Sequence, residues 1–331
     1  MEKRPRRHSL FWPTLLVGVG LIWLLSNLGY IQPFSVGSVL RLWPILLIIM
    51  GVDILFSRQY PWVGAVVGLL AIVGVIGFLL VSPKLGITPT NSVKTESFST
   101  GSAGVKTVEY DFDTSSAPVY ISSLKSTSND LLQARITHNG TMRFEVSGTS
   151  NKTVSLSQYS DTSSWFTWDF SYDNYKWDIA LGPKVPTSIV LNGGSGSLDM
   201  DLRGVNLTSL RTDFGSGSSD ITLPESETPY KGEIEGGSGS VNMELPANTS
   251  LTLTLNTASG STNVNIPHDA AFRIEVMDDG SGSFNLPSGL KKSTDSNNFS
   301  IGAWETPNYQ TADHKILIQV LGQGSGSISI Q

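Results

Sequence analysis

The chain has 331 residues, 22 Lys+Arg against 28 Asp+Glu, and no cysteine. That length allows two or three domains, the acidic balance argues against nucleic acid as a partner, and the missing cysteine excludes disulfides and thiol chemistry without fixing a compartment. Charged residues make up 15% of the chain, below the roughly 25% usual for soluble domains, and the shortfall is concentrated near the N-terminus.

Residues 1–9 form a basic head with Lys3, Arg4, Arg6 and Arg7. Between Leu10 and Ser82 only Arg41, Asp53 and Arg58 carry charge of the Asp, Glu, Lys or Arg type. Three apolar runs, about 10–28, 39–56 and 62–81, each have the roughly 17–25 residues a helix needs to cross a bilayer, so the region predicts three spans. A cleaved leader would show one apolar core and a small-residue cleavage site. The basic head predicts a cytoplasmic N-terminus, and an odd number of spans then places everything after Val81 outside. That exported part carries 16 Lys+Arg and 26 Asp+Glu.

The first two spans repeat each other: Trp12-Pro13 returns as Trp43-Pro44, 31 residues later. Proline is tolerated in the first turn of a helix and tryptophan favours the membrane interface, so the shared pair reads as a helix start. Gly18, Gly20, Gly64 and Gly68 would permit close helix contact, a feature common to small residues in apolar helices. Asp53 lies about a turn from the cytoplasmic end of its span, within reach of water or Arg58. The bland reading therefore outweighs an ion-conducting one.

Residues 82–104 are rich in Ser, Thr, Gly and Pro and read as a linker. Residues 105–331 then show strand-like alternation and a Ser-Gly-Ser turn that recurs around Gly196, Gly217, Gly239, Gly260, Gly282 and Gly326. The central glycines are 21, 22, 21, 22 and 44 residues apart. A phosphate loop occurs once per site, whereas a fixed period means a repeat architecture. The strands after the turns place Asp199, Asp220, Asn242, Asn263, Asn285 and Ser329 on one face and an apolar set on the other. A two-strand unit cannot bury its apolar face alone, but stacked copies can. The fold class is thus a three-span α-helical membrane region followed by an all-β exported domain, a β-solenoid with 21–22-residue repeats. The turn glycines are expected at positive φ.

Less regular stretches interrupt the pattern. Residues 113–122 read as a diverged turn and strand, Asn139-Gly140 as a hairpin signal, and 297–310 as an atypical coil. The final strand, ending at Gln331, is expected to leave a parallel edge that either an irregular segment covers or a second subunit pairs with. Residues 164–181 hold Trp165, Phe166, Trp168, Phe170, Tyr172, Tyr175 and Trp177, which fit a cap on the solenoid end or a surface for glycan or partner.

Catalytic patterns are absent. His8, His138, His268 and His314 show no metal-ligand spacing, and no nucleophile elbow or phosphate loop occurs. The repeat is more than twice the nine-residue unit of a calcium β-roll. The chain reads as a non-enzyme without cofactor or metal.

The paired Trp12-Pro13 and Trp43-Pro44 helices resemble the membrane region shared by LiaI and LiaF cell-envelope stress proteins of bacteria. The stretch 177–224 resembles the toast-rack domain of LiaF-like and adhesin-like proteins. The resemblance implies a membrane-anchored protein that senses or regulates envelope stress, with a membrane sensor histidine kinase as the partner held inactive. LiaF-like proteins usually have four spans, which would leave the soluble domain inside; three spans reverse this. The alternative class is a structural or adhesive solenoid that self-associates or binds surface polymers.

Overall fold

Apolar and polar residues alternating with a period of two give each strand one face for a core and one for water. The computed structural model describes residues 93–114, 116–138, 140–159, 175–278, 280–293, 301–322 and 324–331, with scattered helical positions between 16 and 77. Among the described residues no helix is long and apolar enough to cross a membrane. The spans expected at 10–28, 39–56 and 62–81, with Trp12, Pro13, Trp43, Pro44 and Asp53, lie largely or wholly outside those residues. Residues 92–161 and 174–331 form one compact unit, an all-β, solenoid-like domain.

Seven strands precede the regular repeats: β1 (Lys94–Gly101), β2 (Thr107–Asp113), β3 (Val119–Ser123), β4 (Asp130–His138), β5 (Thr141–Ser147), β6 (Asn151–Tyr159) and β7 (Lys176–Leu181). Four strand pairs follow: β8 (Thr187–Gly193) with β9 (Leu198–Asp201), β10 (Leu207–Phe214) with β11 (Ser219–Thr222), β12 (Tyr230–Gly236) with β13 (Val241–Glu244), and β14 (Leu251–Thr257) with β15 (Ser261–Asn265). The chain ends in β16 (Phe272–Val276), β17 (Ser283–Asn285), β18 (Lys291–Lys292), β19 (Gly302–Glu305), β20 (Ile316–Gly322) and β21 (Ser327–Ile330). One sheet runs β1-β4-β7-β3-β9-β11-β13-β15-β21-β17 and the other β18-β19-β16-β20-β14-β12-β10-β8-β2-β6-β5. Each coil gives one strand to each sheet, and parallel neighbours in a sheet are about 4.8 Å apart.

In-register ladders build the core. Ile189 of β8 aligns with Leu210, then with Gly232, Leu253, Ile318 and Ile274 in successive strands. All but Gly232 belong to one continuous buried cluster. Burying such side chains contributes roughly 1.5–3 kcal/mol each, which is why a two-strand coil is stable only in a stack.

Chain order and spatial order part company at both ends. The coil of β6 and β7 lies outside that of β2 and β3. The last coil, β20 with β21, inserts between β14–β15 and β16–β17. The C-terminal strand is therefore interior, and the edge expected after it does not exist. The strands on either side of the expected hairpin signal, β4 and β5, lie in different sheets and do not pair as a hairpin. The hairpin is β5–β6, turning at Gly148 with φ +80°. Residues 94–101, inside the stretch read as a linker, form β1 and pair antiparallel with β4.

Antiparallel strands close the stack. β1 and β4 finish one sheet and β5 the other at the first end, where Phe98 and Phe144 meet with ring centroids 5.0 Å apart. At the far end β19 covers β16, and Trp304 meets Phe284 at 6.4 Å. The segment read as an atypical coil at 297–310 thus holds a covering strand. The edges are blunted as natural sheets require: β5 carries the Arg143–Glu145 ion pair, β18 is two lysines, and β17 has three residues.

Candidate interaction surfaces

The stacked turns are held mainly by backbone, with longer serine contacts beside it, such as Ser325 Oγ to Ser259 Oγ and Ser327 Oγ to Ser261 Oγ, both at 3.4 Å. Gly215 N–H donates to Gly194 O at 3.0 Å, Ser238 N–H to Gly215 O at 3.0 Å, Ser259 N–H to Gly237 O at 3.1 Å and Ser325 N–H to Ala258 O at 3.1 Å. These amides are the donors a phosphate cradle would need, and neighbouring coils consume them. None of Gly196, Gly217, Gly239, Gly260, Gly282 or Gly326 has positive φ, so the reason first expected for the glycines does not hold. The reason is contact between coils. A Cβ on Gly217 would overlap the carbonyl oxygen of Gly196, one on Gly239 that of Gly217, one on Gly260 that of Gly239, and one on Gly326 that of Gly260. Ala117 supplies the corresponding carbonyl to Gly196, so the diverged turn before β3 occupies the same ladder. Positive φ occurs two residues earlier in the turn, at Gly324 (φ +60°) and Gly280 (φ +54°).

Beyond the turns the polar set faces outward in register. Tyr120, Asp199, Asp220, Asn242, Asn263, Ser329 and Asn285 form one row across seven strands. Asn242 Nδ2 donates to Asp220 Oδ1 and Asn263 Nδ2 to Asn242 Oδ1, both at 2.8 Å. Amide side chains in this row pass hydrogen bonds along the stack, which explains the drift from Asp to Asn. On the other sheet Arg211 bridges Glu233 at 3.3 Å and Glu235 at 2.9 Å. Arg203 donates a two-pronged hydrogen bond to Asp201 and holds that carboxyl below its ordinary range.

Among the described residues no group of three or more His, Cys, Asp or Glu is placed to hold a metal. His138 is buried at the end of β4, its Nε2 3.4 Å from Glu96 Oε1; His268 and His314 are exposed. Trp177 is fully buried on β7, aligned between Val119 and Ile136. It is core and offers nothing to a partner. Trp165, Trp168, Phe170 and Tyr172 lie outside the described residues. The aromatic residues that do close the described ends are Phe98, Phe144, Phe284 and Trp304. The sequence signal for them was faint, one ring at an inward position of an otherwise polar strand.

Two family models match the chain in tandem, the LiaF transmembrane domain over residues 11–94 and the N-terminal domain of toast_rack over residues 89–244. Both are non-enzymatic in kind. No curated protein matches the chain. Among solved structures, a "putative cell adhesion protein" from Clostridium sporogenes is 16% identical, with a TM-score of 0.49, covering 72% of this chain and 99% of its own. A "putative adhesin" from Bacteroides fragilis is 15% identical, with a TM-score of 0.27, covering 73% of this chain and 99% of its own.

Proposed function

Because the chain is a LiaF-type transmembrane region joined to a toast-rack domain, and so a membrane-associated envelope protein, we propose that it is a regulatory module of the envelope stress response. In this reading the membrane region contacts a sensor histidine kinase and holds it inactive, and the β-domain carries the signal that releases it. The observation that supports the reading is that the two regions adjoin in sequence. The match to the transmembrane domain ends at residue 94, the first residue of β1. Among the described residues β1 pairs with β4 alone, and it carries Phe98 of the end cap. In this reading a change in the docking of β1 is the signal passed to the membrane region that precedes it in sequence.

Both described ends of the stack are closed, which disfavours the alternative of end-to-end assembly. The test uses photocrosslinking residues placed in the membrane region of the full chain in native membranes. A crosslink to a histidine kinase, together with stress-reporter output that rises without challenge when the chain is deleted, is the expected result. Output indifferent to deletion would overturn the reading.

The β-domain is placed outside the membrane in this proposal, from the basic head and three spans. A Ser92→Cys variant should react with an impermeant thiol reagent on intact cells. Labelling only after lysis would reverse the orientation.

A further inference from the structure

The first four strands of the β1 sheet leave a polar cleft of about 490 Å3 on their outer face. That size is in the range of small-molecule sites, roughly 300–1,000 Å3. Register explains its form. Ser97, Arg135, Asp178 and Tyr120 stand in one row across β1, β4, β7 and β3, and Ser99, Gln133, Ala180 and Ser122 in the next. The second row is small except for Gln133, so its floor is low between larger walls.

The partners already made define what is left over. Asp178 is held by Lys176 Nζ at 2.8 Å, and Asp130 accepts from Gln133 Nε2 at 2.7 Å. Lys176, which does not line the cleft, stands 4.7 Å from the centre of the Tyr120 ring. Arg135 faces Asp178 across the ladder but makes no ion pair or side-chain hydrogen bond among the described residues. Among the described residues the cleft thus holds a guanidinium without a side-chain partner, serine hydroxyls and an aromatic ring that is 42% exposed.

We propose that this cleft binds a carboxylate-bearing saccharide. A guanidinium presents a planar fork that matches a carboxylate with two parallel hydrogen bonds. Serine hydroxyls and the Gln133 amide both donate and accept, as vicinal sugar hydroxyls require. Tyr120 offers a flat, partly apolar surface with a polar tip. A bound sugar would touch β1, β4 and β3 at once, tying the strand that follows the membrane region to the rest of the stack. The inference does not depend on the kinase assignment, because its test involves the chain alone.

The test is calorimetric titration of the full chain in lipid nanodiscs with a linear uronic-acid trimer and with the neutral N-acetylglucosamine trimer. The uronate should bind, with affinity at least tenfold above that of the neutral sugar. Arg135→Ala and Tyr120→Ala should each weaken it about tenfold, while Lys231→Ala, on the opposite sheet, leaves it unchanged. Bound uronate should also slow hydrogen exchange of the β1 amides. Arg135 and Tyr120 are exposed, so their variants fold, and unchanged melting confirms it. No heat with the uronate, equal affinity for the two trimers, or wild-type affinity in both cleft variants would overturn the proposal.

Discussion

Gly239 sits where two coils are closest, its α-carbon directed at the carbonyl of Gly217 while its own carbonyl faces Gly260. A methyl group there has no far end of a flexible side chain to push aside, only backbone fixed by strands on either side. Gly239→Ala should therefore destabilise the domain by about 1–3 kcal/mol, the usual cost of forced overpacking. Ser240→Ala removes a hydroxyl at the turn surface and should stay within about 0.5 kcal/mol. Thermal melts of the two variants decide it; equal midpoints would show that the ladder tolerates a side chain. The periodic glycine was legible in the sequence, but its cause was not. Local reasoning supplies a dihedral explanation, whereas the constraint acts between residues about 22 apart, and Trp177 misled in the same way. Composition marks it as part of an aromatic strip that fits an end cap or a partner surface, while its register in β7 puts it in the core.

At the scale of the element, two buried tyrosines fasten strands to neighbouring segments. Tyr110 of β2 donates its hydroxyl to Leu131 O of β4 at 2.5 Å, and Tyr230 of β12 donates to Pro224 O at 2.8 Å. Burial pushes both phenols well above their ordinary pKa. A raised folded value means the proton is held more tightly in the folded state. Their contribution is complete below the unfolded pKa of about 10 and is lost as pH rises from there towards the folded values. Stability should thus be flat to about pH 9.5 and then fall, by up to about 1.4 kcal/mol per pH unit for each tyrosine. The pair of substitutions Tyr110→Phe and Tyr230→Phe should cost about 1 kcal/mol each near neutrality and flatten the alkaline limb. Denaturant melts across the alkaline range would expose an unchanged limb, which would refute the assignment. Strands of this kind were readable from alternation because their inward set is strongly apolar. β1 was not, since "KTESFSTG" offers the core little beyond Phe98, and a strand held mainly by backbone pairing to β4 leaves almost no pattern.

At the scale of the molecule, the strand order carries the clearest departure from linear reading. A repeat invites the assumption that coil follows coil, and period alone cannot reveal a swap. The cause lies in the segments between coils, since 286–315 is long enough to carry β18 and β19 outward before the chain returns as β20. The interior position of the last coil has a direct consequence. β21 pairs with β15 on one side and β17 on the other, and Ile328 and Ile330 are buried. Removing residues 325–331 would strip the β17 side of its only described neighbour and leave β20 without the half of its coil that covers it. Deleting two inward isoleucines alone should cost about 2–5 kcal/mol each. The truncated chain should therefore lose the protection of β16, β17 and β20 against hydrogen exchange while the coils from β8 to β13 keep theirs. A trimmed terminal edge strand would instead leave every remaining coil protected, and that result would contradict the inserted order.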